Sequence, residues 1–268
     1  MQRLRFENEK CEILVSSCDG YADLWLPFFN LFKKHWPDCP FEISLITEKE
    51  QAQVENVNSL CLGTGKDWSS LLASALEKVQ TDYVLFMLED FFLRKKVSTH
   101  QICKLIEKMD EQKIEMLRLV PRPGPPNIKN GEKDLFGELP VNTKWRVSSQ
   151  ASIWKKTVLQ DLVKRGESAW EFEVNGSLRS IKYQKFYCTR KSLIPYGHHV
   201  VERGKWFPWE AWKYKKMNIG CNFNKRRTMS AWESSSWLIK KFLVGLKKSL
   251  KKLAIFIYLL GESKCIDV

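Results

Sequence analysis

Between residues 11 and 120, apolar runs of strand length alternate with segments of helical period. The run Cys11–Ser17 (CEILVSS) predicts a buried strand. Tyr21–Trp36 predicts an amphipathic helix with Leu24, Phe28, Leu31 and Phe32 on one face; Pro37 ends it, and Pro27 marks either a kink or its true start. Phe41–Thr47 (FEISLIT) is a second strand and Ser59–Leu62 a short third. Trp68–Val79 has helical spacing, Tyr83–Leu88 (YVLFML) is a strongly apolar strand, Val97–Lys113 a helix and Met116–Val120 (MLRLV) a strand. Strands that alternate with helices in this way imply an α/β fold, a mainly parallel sheet covered on both faces.

The pattern then changes. Residues 121–140 (PRPGPPNIKNGEKDLFGELP) form a loop, because Pro121, Pro123, Pro125 and Pro126 each lack a backbone N–H and disallow a regular ladder or helix. Loops of this length often cover a bound ligand. Trp145–Trp154 has strand character, Lys155–Arg165 is helical, and residues 167–224 are rich in aromatic, Gly and basic residues with weak periodicity. There are 268 residues and 44% are apolar, enough for a sizeable core and against wholesale disorder. Eleven Trp is a high count, and indoles suit cores, saccharide stacking and membrane interfaces alike.

The eight cysteines are scattered, with no C-x-x-C and no zinc-like pairing with His, which implies a reduced, cytoplasmic protein. The start, MQRLRFENEKCE, has no apolar h-region, and no stretch reaches the ~20 apolar residues of a spanning helix. Charge is concentrated at the other end. Residues 225–252 hold nine basic groups and one acid, a net +8 of the chain's +13. At about 100° per residue, six lysines of Trp237–Leu260 fall within roughly 140°, with Ile239, Phe242, Leu246, Leu250, Leu253 and Ile257 opposite. Such a helix suits either an anionic membrane surface or docking on the body with a solvated Lys face. The expected domains are therefore residues 1–224 and a basic amphipathic, membrane-associating tail, 225–268.

Ligands of open α/β sheets bind beyond the carboxyl ends of the strands, which focuses attention on four segments. Ser16, Ser17 and Asp19 follow the first strand, where they either hold a base or ribose or cap the next helix; Thr47-Glu48 follows the second strand in the same sense. Gly63–Trp68 (GTGKDW) lacks the P-loop spacing and reads as a turn with Asp67 as cap, or as a phosphate contact. Glu89-Asp90 closes the YVLFML strand before Phe91-Phe92-Leu93; adjacent carboxylates between apolar flanks repel unless a cation or a shared proton intervenes, and hard oxygens suit Mg²⁺ or Mn²⁺. In Trp170–Glu173 (WEFE), an acid between aromatics suits a general base, or a short surface helix carries exposed glutamates. His198-His199 is either structural or contributes a metal ligand.

Taken together, the strand ending in Ser/Asp, TDYVLFMLEDFFL, LRLVPRPGPP, RVSSQASIW and AWEFEVNGSLRS resemble bacterial GT-A-type glycosyltransferases of capsule and lipopolysaccharide assembly, over residues 11–210. The resemblance implies a GT-A-like, Rossmann-type sheet and transfer of a sugar from a nucleotide-sugar donor to a hydroxyl of a glycan or lipid-linked acceptor. The family's metal-binding D-x-D corresponds to Leu88-Glu89-Asp90, where Leu88 replaces the first acid; this implies a divalent cation (Mn²⁺ or Mg²⁺) on Asp90, with Glu89 contacting sugar or ribose. It further implies nucleobase contacts at Ser16, Ser17 and Asp19, a base at Glu173 or Glu171 and a late metal ligand at His199 or His198. Within that scheme Arg122 assists at the leaving diphosphate, Arg146 and Gln150 orient donor or acceptor, and the loop at 121–131 closes over the donor. Trp206, Phe207, Trp209 and Trp212 either stack on acceptor sugars or form the core of a small subdomain. The tail implies a peripheral position on the inner face of the cytoplasmic membrane.

Three competing functions remain. A nucleotidyltransferase shares such an α/β half, but no Gly/Arg/Lys loop stands at the chain start. A nucleic-acid-binding module would use the lysines, yet has no use for a continuous apolar face beside them, so no nucleic acid is expected as partner. The third is a non-catalytic membrane scaffold.

Overall fold

The computed structural model describes residues 10–125 and 135–243. These divide into two compact units, the first comprising residues 10–125, 135–200 and 218–222 and the second 201–217 with 223–243.

The first unit carries an eight-stranded sheet. Its strands are β1 (Cys11–Ser16), β2 (Ile43–Thr47), β3 (Asn58–Cys61), β4 (Tyr83–Leu88), β5 (Met116–Arg118), β6 (Phe136–Glu138), β7 (Ser152–Lys155) and β8 (Phe186–Thr189), in spatial order β3-β2-β1-β4-β7-β5-β8-β6. The first four run parallel, as the alternation predicts; β7 is antiparallel to both β4 and β5, β5 runs parallel to β8, and β6 returns antiparallel at the far edge. The α/β class with a mainly parallel sheet is therefore borne out.

Local chemistry explains the helix boundaries. Helix α1 (Ala22–His35) runs through Pro27 and begins upstream of it, burying Leu24, Phe28, Leu31 and Phe32. In α2 (Trp68–Lys78) the Asp67 carboxylate accepts the Ser70 N–H, an N-cap as the sequence suggests. In α3 (Thr99–Gln112) Ser98 caps the start and Lys113 closes the end in the left-handed conformation. Helix α4 (Lys156–Leu162) is short. Helix α5 (Ala169–Arg179) opens with a reciprocal capping box between Ser168 and Glu171.

The strand expected over 145–154 is formed only at its end. The backbone N–H of Val147 donates to Ser177 Oγ (3.0 Å) and that of Ser149 to Glu173 Oε1 (2.7 Å), so this stretch bonds to side chains of α5 instead of to a neighbouring strand. Gly176 permits the approach, since a Cβ there would stand 3.2 Å from Val147 Cγ1. Three buried tryptophans of this unit each place the indole N–H on a hydroxyl at 2.8 Å: Trp25 on Ser17, Trp36 on Thr99 and Trp154 on Ser152. Of the eight cysteines seven are described and none of these forms a disulfide; burial raises the Cys188 thiol to about 11, as befits a small core hydrophobe, and the half-buried Cys39 thiol to about 12.

The second unit contains a two-stranded ribbon, β9 (Val201–Glu202) with β10 (Lys205–Trp206), then α6 (Pro208–Met217) and a helix over 231–243, α7. The remainder of the expected tail, 244–268, lies outside the described residues, as does 126–131 of the Pro/Gly loop. Among the described residues no helix is long and apolar enough to cross a membrane.

Candidate active site at the carboxyl edge of the sheet

Strand direction decides what meets at this edge. The parallel strands β1, β2 and β4 end there, Ser16 lying in register with Leu88. Antiparallel β7 starts there, with Ser152 opposite Phe86 on β4 and opposite Arg118 on β5. The Glu89-Asp90 turn, the Arg118–Pro125 segment and Ser149-Gln150 therefore share one edge, although up to sixty residues separate them in sequence.

The acidic turn is held firmly. Phe91 N–H donates to Leu88 O and Phe92 N–H to Asp90 O, and Phe91, Phe92 and Leu93 are buried while both acids stay half-buried. Residues 92–94 are zipped to 195–197: Arg94 N–H donates to Pro195 O, Gly197 N–H donates to Phe92 O, and Leu93 bridges to Tyr196. This stacks the buried Tyr196 ring on Phe91, centroids 3.9 Å apart and nearly parallel. The Tyr196 hydroxyl donates to Gln150 Oε1 (2.7 Å) and accepts from Ala151 N–H (3.4 Å). Burial, with Asp90 nearby, pushes this phenol far above its ordinary range, against the opposing pull of the Ala151 N–H, Arg118 and Arg122. It is a fixed neutral donor.

Glu173 projects from α5 toward the same segment. Its Oε1 accepts both the N–H and the Oγ–H of Ser149, each at 2.7 Å. One connected path thus runs from Glu173 through Ser149-Gln150 to Tyr196 and the Phe91-Asp90 turn. Burial pushes the Arg118 guanidinium below its ordinary range, and the nearby Glu173 carboxylate opposes that shift. Its guanidinium is buried and donates to Pro123 O (2.7 Å), Trp145 O (2.6 Å) and Arg146 O (2.9 Å), fastening the Pro-rich segment to the stretch that leads to Gln150.

Other expected residues stand elsewhere. Glu171 is exposed and its carboxylate accepts the N–H and hydroxyl of Ser168, two bonds that lower its pKa; it is a helix cap. Arg146 does not face the cleft. It is fully buried, donates to Leu139 O, Ser180 O and Tyr183 O, and stacks on Phe186 at 4.4 Å, so it ties the sheet to the segment after α5. Ser17 receives the Trp25 indole N–H, and Ser16 is buried at the end of β1. Asp19 accepts the N–H groups of Glu48 and Lys49 (both 2.9 Å) and of Glu50 (3.2 Å), organising the loop after β2. Arg122 is exposed beside the cluster, while His199 is exposed with φ 61°. The neighbouring His198 is the imidazole next to Tyr196, ring centroids 4.8 Å apart.

Glu89 lies close enough to Cys18 to help raise its thiol pKa, after burial. The acidic turn thus borders the end of β1 as well. Among the described residues no three His, Cys, Asp or Glu side chains group as metal ligands. The donor set fits a cation held by one or two carboxylates and completed by phosphate oxygens of a substrate, the usual manner of Mg²⁺, and not an all-protein cage.

Sequence reasoning passed over Tyr196 and Arg118. A charged residue inside the apolar MLRLV run was the available signal for Arg118; Tyr196 in IPYGHH carried none, because its role comes from a bridge to a strand end about a hundred residues earlier.

No known family profile matches the sequence, and no curated protein is similar to it. Among solved structures, residues 1–349 of TarS from S. aureus in complex with UDP-GlcNAc is 15% identical with a TM-score of 0.46, over 70% of this chain and 57% of that one. The bifunctional IspDF from Campylobacter jejuni is 14% identical (TM-score 0.40; 69% and 52% covered). A CMP:2-keto-3-deoxy-manno-octonic acid synthetase complexed with CTP is 12% identical (TM-score 0.41; 67% and 88% covered). The chain spans less than two thirds of the TarS fragment, and overlaps this partial bear on neither substrate nor mechanism.

Proposed function

We propose that the chain is a glycosyltransferase that moves a sugar from a nucleotide-sugar donor to a hydroxyl of a glycan or lipid-linked acceptor, in cell-envelope polysaccharide synthesis. The observation that carries this reading is the connected path from Glu173 to the Asp90 turn at the carboxyl edge of the sheet. It supports a reading in which the Glu173 carboxylate is the base and the acids of the Asp90 turn, on the same framework, would hold a phosphate-bound cation. The sheet order and the antiparallel β7 are also in keeping with the GT-A-like fold that the sequence resembles.

In this reading Glu173 takes the proton from the acceptor hydroxyl as that oxygen attacks the anomeric carbon. The bond from the anomeric carbon to the donor's phosphate oxygen breaks, and the leaving nucleotide carries off the electron pair. Arg122 meets its growing negative charge. Asp90, with Glu89, would hold a Mn²⁺ or Mg²⁺ ion, whose contribution is to neutralise the same phosphates. Gln150, oriented by Tyr196, offers its amide to donor or acceptor hydroxyls.

The test is a thermal-shift screen with UDP-, GDP-, CMP- and dTDP-sugars, with and without Mn²⁺, on the native chain and on Asp90→Asn. A ligand that binds only the folded state raises Tm by mass action. A shift for one nucleotide class, dependent on Mn²⁺ and lost in the variant, supports the reading. Stabilisation by CTP or another nucleoside triphosphate, with pyrophosphate released in the presence of a sugar phosphate, replaces it with nucleotidyl transfer.

A further inference from the structure

The second unit presents a surface that the transferase chemistry does not use. Trp206 is buried, as the core reading of the late aromatics requires, but Trp209 (62%) and Trp212 (50%) on α6 are solvent-exposed. Their rings stack on each other with centroids 4.9 Å apart, and Lys216 Nζ sits 3.7 Å over Trp212. Together with Phe207, Pro208, Ser234 and Leu238 they line a pocket of about 380 Å³ between α6 and α7. Phe207 meets Trp237 edge-on at 5.4 Å, which fixes α7 at this pocket.

Helical geometry shows what α7 turns outward. At about 100° per residue, Leu238, Phe242, Ile239, Trp232 and Leu243 fall within one arc of about 140° that Ser235 alone interrupts with a polar side chain. That arc is not buried: Phe242 is 70%, Ile239 58% and Trp232 82% exposed. Monomeric soluble domains rarely leave a contiguous apolar face in water, and one bounded by polar residues marks an interaction site.

Charge names the partner. Residues 201–217 and 223–243 hold ten Lys and Arg against three Glu. Glu210 is buried, and Glu233 is bonded to Lys205, Arg227 and the Ser230 N–H. Lys240 and Lys241 then flank the apolar arc, with Lys215 and Lys216 at the end of α6. A second copy of the chain would bring two such basic rims together. A nucleic acid would answer the charge and leave Phe242 and Ile239 in water. An anionic lipid bilayer satisfies both, with indoles at headgroup level, apolar side chains below them and lysines on the phosphates.

We infer that α6 and α7 form a membrane-contact surface for anionic phospholipids, in which the Trp209–Trp212 stack and the exposed α7 arc enter the interface together. The inference does not depend on the transferase reading. Co-sedimentation of the full chain with phosphatidylglycerol/phosphatidylcholine vesicles and with pure phosphatidylcholine vesicles tests it. Binding is expected to the anionic vesicles and to fall as salt rises. Phe242→Ser and the pair Trp209→Ala with Trp212→Ala are each expected to weaken it at least tenfold. At about fivefold per lysine, Lys240→Gln with Lys241→Gln weakens it about 25-fold. These side chains are exposed, and the ligand-free thermal melting and far-UV circular dichroism of each variant report independently on folding. Equal binding to both vesicle types, anionic binding that survives the Phe242 and tryptophan variants, or a dimer dissolved by Phe242→Ser would each overturn the inference.

Discussion

Glu173 has two tasks, and replacing it in two ways separates them. Its Oε1 anchors the Ser149 turn through two bonds of 2.7 Å, and its carboxylate is the proposed base. Glutamine keeps an oxygen at that position and can still accept both bonds, but it cannot take a proton at neutral pH. Alanine removes the acceptor altogether and leaves the Ser149 N–H without it. Hydrogen bonds to a charged acceptor contribute about 1.5–3 kcal/mol each. Because Glu173 is only half-buried and the Ser149 hydroxyl can turn to water, the loss in Glu173→Ala comes to about 2–3 kcal/mol, the loss in Glu173→Gln to about 1 kcal/mol or less. For a unit of about 200 residues, at about 2–4 °C per kcal/mol, these become Tm decreases of about 5–10 °C and at most about 4 °C. Release of nucleotide from the donor at saturating acceptor should nevertheless fall by about 10²–10⁴ in both variants. If Glu173→Gln turns over within tenfold of the native chain, Glu173 does not take the proton. If Glu173→Ala melts like the native chain, its bonds to Ser149 do not hold the turn.

Tyr196→Phe preserves the stack on Phe91 but leaves the Gln150 amide oxygen without its donor; we expect a cost of about 1–2 kcal/mol in calorimetry and weaker donor binding, and an unchanged donor affinity would separate Tyr196 from the site. Desolvation opposes ionisation of the exposed Asp67, but hydrogen bonds from Ser69, Ser70 and Gly166 outweigh it and hold the carboxyl well below the usual range. Its folded pKa is depressed, so its stabilisation is present above the ordinary Asp value and fades as pH falls through the lower folded value. Asp67→Asn should therefore lower Tm at pH 7 by the equivalent of about 1 kcal/mol and flatten its fall between pH 4 and 2, and parallel Tm–pH curves would refute this. Gly176→Ala gains about 1 kcal/mol of helix propensity but sets a methyl 3.2 Å from the buried Val147; we expect a net loss of about 1 kcal/mol in denaturant unfolding, and a stabilised variant would show that α5 has room to move.

Much of the framework follows from the sequence alone. Tyr83–Leu88 is a strand at the residues its apolar run predicts, because a continuous run of that length is buried on both faces of a sheet. Asp67 and Ser168 cap helices through bonds that reach only two or three residues, so local sequence suffices to specify them. The acidic pair at the end of β4 is likewise local. The role of each other polar residue was decided by contacts far along the chain. Arg146 and Arg118 differ little as sequence, yet Arg146 is locked into the core by carbonyls of Leu139, Ser180 and Tyr183, while Arg118 lies beneath the site's edge. Glu171 and Glu173 are two residues apart; helical rotation by about 200° turns one to its own N-cap and the other to Ser149. Tyr196 joins the site only because residues 195–197 are zipped to the turn after β4, and Phe242 is exposed because α7 turns Ser234 and Leu238 toward α6. Strand periodicity and helix capping are short-range and legible in one dimension. Which polar groups share a neighbourhood depends on strand order and direction, and those exist only once the chain has packed.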